Sequence, residues 1–83
     1  MSSIEKIIDK ILSGKSDNNI DFNDLKKVVL SFGFNERIAG SHHVFTQKNY
    51  NILINLQKDK GSKAKPYQVK QVRKIIIQYF LNE

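Results

Sequence analysis

The apolar residues of this chain change period in a fixed order: helical spacing twice, alternation three times, then helical spacing once more. A period of 3.6 gathers i, i+3 and i+4 on one helix face, whereas a period of two gathers every second residue on one strand face. A chain ordered helix, helix, strand, strand, strand, helix has few ways to bury those faces together. Ile4, Ile7, Ile8, Ile11 and Leu12 define the first helix, within residues 1–14, with Ser2 and Glu5 as a capping box and Gly14 as its stop. Residues 15–19 read as a polar loop. Asp21 is placed to cap a second helix, whose Leu25, Val28, Val29 and Phe32 share one face before Gly33 ends it.

Residues 34–38, 42–46 and 51–56 alternate as strands, and Gly40-Ser41 between the first two is long enough only for a tight turn. The lysine-rich residues 58–67 follow, with Gly61 and Ser62 expected to make them mobile. Pro66 suits the first turn of a last helix that carries Val69, Val72, Ile76, Tyr79 and Phe80 inward. The expected class is α+β: a three-stranded antiparallel sheet with two helices packed on one face, αβββα in residues 21–81, plus the N-terminal helix. That core order resembles the double-stranded-RNA-binding fold. All 83 residues form one domain, because a chain this short buries only about 60% of its unfolded surface and cannot divide it between two cores.

With no cysteine, there is neither a disulfide framework nor a thiolate metal site. No apolar run approaches the roughly 20 residues of a membrane helix, and the first residues lack a signal peptide's basic start and apolar stretch. A cytoplasmic location is expected. The net charge is +6, and its distribution is more informative than its size. Residues 1–41 hold six basic and six acidic side chains, whereas residues 42–83 hold eight basic and two acidic, so the whole excess lies in the second half. Such a surface suits a polyanion, because lysine and arginine displace condensed counterions from phosphates.

That second half opens on His42-His43-Val44-Phe45. Period two puts His42 with Val44 and His43 with Phe45. The large aromatic belongs on the helix-packed side, so His42 faces outward and His43 leans toward the core margin. Adjacent strand residues on opposite faces cannot readily chelate one ion, so no metal or cofactor is expected. Ser41 lacks a readable base and oxyanion site for a nucleophile's role and serves the turn with Gly40. Of the tyrosines, Tyr79 falls on the apolar face of the last helix, and Tyr67, beside Pro66 and the lysines, is the one considered as a base-stacking contact.

Gly40-Ser41-His42, the lysine-rich connection of residues 58–67 and the helix that follows it together resemble the HicA family of toxin–antitoxin ribonucleases, in its longer subgroup. The resemblance spans roughly residues 21–81. Two departures stand out: Gln47-Lys48-Asn49-Tyr50-Asn51 replaces a His-Pro-Asp-Gly-like turn, and there is an additional N-terminal helix. The resemblance implies an endoribonuclease that cleaves mRNA, with His42 catalytic and a HicB-type antitoxin as partner. RNA needs no metal for cleavage, since its own 2′-hydroxyl attacks the adjacent phosphorus once a base removes the proton. Lys58, Lys60, Lys63, Lys65, Lys70, Arg73 and Lys74 are candidates to hold the RNA backbone and steady the developing charge. The leaving-group acid stays open among water, a lysine and His43. Two other readings remain at this point: a non-catalytic RNA-binding module, and a protein-interaction module that uses the N-terminal helix.

Overall fold

A computed structural model describes residues 3–59 and 61–81. The capping box at Ser2 and the candidate cation Lys60 lie outside the described residues. The order is helix α1 (Ser3–Ser13), a 3₁₀ turn (Asp17–Asn19), helix α2 (Phe22–Ser31), strands β1 (Asn35–Ala39), β2 (His42–Gln47) and β3 (Ile52–Gln57), helix α3 (Pro66–Ile75) and one π turn (Ile76–Phe80). The strands form one antiparallel sheet in the order β1-β2-β3. This is the α+β class expected, with a βββ core between helices and an additional helix in front.

The core joins the inner face of the sheet to all three helices. Phe45, Ile54 and Leu56 from the strands meet Phe22, Leu25, Val28 and Val29 from α2, and Val69, Val72 and Ile76 around α3, all buried. From α1, Ile11 is fully buried, and Ile4, Ile7, Ile8 and Leu12 pack against the same cluster. The apolar face of α1 is therefore part of the core rather than a free docking face, which counts against the protein-interaction reading.

Local chemistry explains where the elements stop. Ala39 pairs with His42, so Gly40 and Ser41 make a two-residue hairpin loop. Only the first of them has positive φ, at +62°, the pattern of a type II′ turn. Asp21 occupies the N-cap of α2, as expected, but its side chain makes no capping bond. Instead Phe22 N–H donates to Ser62 O at 2.8 Å, and Asp21 bridges Lys63 in strand fashion. The lysine-rich connection is consequently tied down rather than loose: Lys58 bridges Ala64, and Ala64 N–H donates to Ile20 O at 2.8 Å.

Two strand starts and one side chain are placed differently from the sequence expectation. Phe34 lies outside the ladder and is buried against Phe80, with ring centroids 6.1 Å apart. Asn51, expected to begin β3, sits in the preceding turn with φ of +54°. Tyr79 is exposed rather than core, and it stacks on Tyr50 at 5.5 Å. The cause is the π turn, closed by Leu81 N–H to Ile76 O at 3.1 Å: its wider winding shifts the side-chain phase that an α-helix would have kept.

Gly33 ends α2 with φ of +89°, and a Cβ there would lie 3.0 Å from Gln47 Nε2. That amide is buried and in use: Nε2 donates to Phe32 O at 2.8 Å, and Oε1 accepts from Asn49 N–H at 3.0 Å. Gly33→Ala combines left-handed strain with displacement of the amide, for an expected loss of about 1–2 kcal/mol. The urea midpoint measures it.

Candidate active site on the open sheet face

All three helices lie on one side of the sheet, so its other side is open. Register fixes what that side presents: Ala39, His42 and Gln57 in one row, Arg37, Val44 and Asn55 in the next, and Asn35, Thr46 and Leu53 in the third. His42, Asn55, Arg37 and Leu53 are exposed, whereas the intervening Phe45, Ile54 and Leu56 are buried. His42 thus faces outward with Val44, as the alternation implied.

Its ring meets a polar partner on the same face. Asn55, 13 residues away in sequence, holds Oδ1 3.3 Å from His42 Nδ1. An amide oxygen only accepts, so this contact favours the neutral tautomer with its proton on Nδ1, which leaves the Nε2 lone pair for an incoming group. The turn is tied to the same row, with Gln57 Nε2 donating to Ser41 Oγ at 3.2 Å. Gln57 in turn locks the start of α3. With the Gln68 amide oriented to satisfy both partners, Nε2 donates to Gln57 O at 3.0 Å and Oε1 accepts from Gln57 N–H at 3.1 Å.

His43 is spent structurally on the other face. Its Nδ1 donates to Glu36 Oε2 at 2.7 Å, its side chain is 18% exposed, and its ring meets Phe22 edge-on at 5.1 Å. Lys26 Nζ lies 3.6 Å from the same Glu36 oxygen. This cluster anchors β2 to α2. It also keeps His43 on the opposite side of the sheet from any substrate at His42, so His43 drops out as leaving-group acid.

The expected cations divide. Lys58, Lys70 and Lys74 are exposed, Lys65 is half-buried at the N-cap of α3, and Lys63 Nζ donates to Asn19 Oδ1 at 2.8 Å. Arg73 is different. Its Nη1 and Nη2 donate to the two Asp17 carboxylate oxygens at 2.8 and 3.2 Å, and Nη1 also donates to Ile11 O at 3.1 Å. The fork caps the C-terminus of α1 and holds the 3₁₀ turn, and its hydrogen bonds to Asp17 raise the guanidinium pKa further. Arg73 is therefore engaged as an internal clamp between α1, the 3₁₀ turn and α3. Tyr67 is exposed beside these lysines.

Two site residues escaped the sequence reading. Asn55 and Arg37 flank Val44 in one cross-strand row, and Arg37 makes no ion pair among the described residues. Beside them is a shallow depression of about 200 Å³ lined by Asn35, Glu36, Arg37, Val44, Thr46 and Leu53. Compared with known proteins, the chain matches no family model, no curated protein and no solved structure. Among the described residues, no helix is long and apolar enough to cross a membrane.

Proposed function

We propose that the chain is a small metal-independent endoribonuclease of the HicA type, cleaving mRNA with His42 as its acid–base residue. The observation that carries this reading is an exposed imidazole whose Nδ1 lies 3.3 Å from Asn55 Oδ1, on an open sheet face that also bears Arg37 one row away. Nε2 takes the proton of a 2′-hydroxyl, the oxygen attacks the adjacent phosphorus, and the bond to the 5′-oxygen breaks. That oxygen takes a proton from water or a nearby cation. The products are a 2′,3′-cyclic phosphate and a 5′-hydroxyl, and His42 returns its proton to solvent. The Arg37 guanidinium, whose fork matches phosphate geometry, steadies charge on the phosphorane oxygens. Because His42 stands on an open surface rather than inside a cavity, water screens these interactions, and a slow enzyme is expected.

In this reading a HicB-type antitoxin neutralises the toxin by covering the His42 face. The test is incubation of the purified protein with a long single-stranded RNA in EDTA. New 5′-hydroxyl and cyclic-phosphate ends support the proposal. RNA that binds but stays intact favours the second reading, a non-catalytic RNA-binding module, for which the open setting of His42 speaks.

Asn55 acts through His42. Asn55→Leu removes the acceptor, frees the ring and should lower kcat about tenfold with KM little changed. Asn55→Asp keeps an acceptor and should recover most of the rate. Equal rates in all three proteins would remove the positioning role.

A further inference from the structure

A groove of about 540 Å³ shares no residue with the sheet's open-face rows and lies between the Gly14–Asn19 segment on one side and Pro66 and Lys70 on the other. Its size is in the range that holds a nucleotide-sized ligand. Lys15 and Lys70 line it, and neither ammonium has an ion-pair partner among the described residues. Asp17 is the only carboxylate of the lining, and Arg73 already neutralises it through two hydrogen bonds. Lys63, reaching Asn19 Oδ1 at 2.8 Å, adds a cation beside the segment's end. The walls otherwise offer polar groups from Ser16, Asn18 and Asn19.

We infer that this groove is a second phosphodiester-binding site, which seats the RNA backbone at a distance from the scissile bond at His42. For the identity of its polyanion, the inference rests on the ribonuclease reading. Chain connectivity supplies the route between the two places. His42 pairs with Gln57, Lys58 follows and bridges Ala64, and the next residue, Lys65, caps the helix that forms one wall of the groove. The described lysines of this connection, Lys58, Lys63 and Lys65, lie in sequence between the His42 row and the groove's α3 wall. The site also gives the N-terminal helix a purpose: α1 delivers Lys15, and the Arg73 clamp on Ile11 O and Asp17 sets the groove's wall.

The test is the salt dependence of binding of a single-stranded RNA of about 20 nucleotides by the full chain, the Lys15→Gln/Lys70→Gln double variant and a Lys27→Gln control. Each phosphate contact to a single strand contributes about 0.7 to the slope of log affinity against log salt. The double variant should therefore lower the slope by about 1.4 and the affinity by roughly 25-fold at ~0.1 M salt. Lys27, exposed on α2, should cost little. Inorganic phosphate that competes as well as the RNA would mark a site for the free anion instead and overturn the inference, as would a double variant that binds like the parent. Parent cleavage assayed in parallel separates the two claims. Cleavage with unaltered affinity in the double variant removes the groove and keeps the enzyme; groove-dependent binding without cleavage does the reverse.

Discussion

His42→Ala should lose growth inhibition and slow RNA cleavage by about 10²–10⁴-fold, the usual contribution of a positioned acid–base group, while folding unchanged. The second half of that expectation is as informative as the first. His42 is exposed and its ring's hydrogen bond is to another exposed side chain, so its removal opens no cavity and orphans no buried partner. Stability should stay within about 0.5 kcal/mol, as for surface substitutions generally. His43→Ala would behave oppositely, because His43 holds Glu36 and packs on Phe22 at the margin of the core. A pair of adjacent histidines thus separates catalysis from folding in one experiment. If both alanine variants cleaved at the parental rate, the acid–base assignment would be gone.

Arg73→Ala is expected to produce the largest loss of stability, about 2–3 kcal/mol. Removing one partner of a fully buried ion pair costs about 3–5 kcal/mol, and an exposed pair contributes below about 1. Arg73 and Asp17 fall between, with side chains 19% and 12% exposed. The substitution leaves Asp17 without its fork and Ile11 O with Gly14 N–H, at 3.3 Å, in place of two donors. For a domain whose total stability is on the order of 5–15 kcal/mol, that is a large share. Arg73→Lys restores the charge but not the two-pronged geometry and should recover less than half. Urea midpoints for the three proteins decide it, and an unchanged midpoint in Arg73→Ala would show that the clamp holds nothing.

Elements were readable from the sequence where periodicity alone decides them, and misread where a distant partner does. The helices α1 and α2 and the hairpin at Gly40-Ser41 follow from spacing and turn chemistry, and so does the outward face of His42. Phe34 looks like strand because it is aromatic, yet Phe80 pulls it into the core instead of the ladder. Tyr79 was misplaced because no local signal announces the π turn that shifts its phase. Arg73 looked like one more cation in a basic helix; its partner Asp17 is 56 residues away, and only the packing of α1 against α3 brings them together. Asn55 stands where alternation puts a polar residue on the outer face of β3. Its tie to His42 depends on the β2–β3 register, which the sequence does not specify.

Whether His42 cleaves RNA without a metal is decided by end-mapping of one long RNA after exposure, in EDTA, to the parent and to His42→Ala shown to be folded by circular dichroism. Discrete new 5′-hydroxyl ends with the parent alone are the predicted result. Identical cleavage by both proteins, or none by the parent while it binds the RNA, would contradict it.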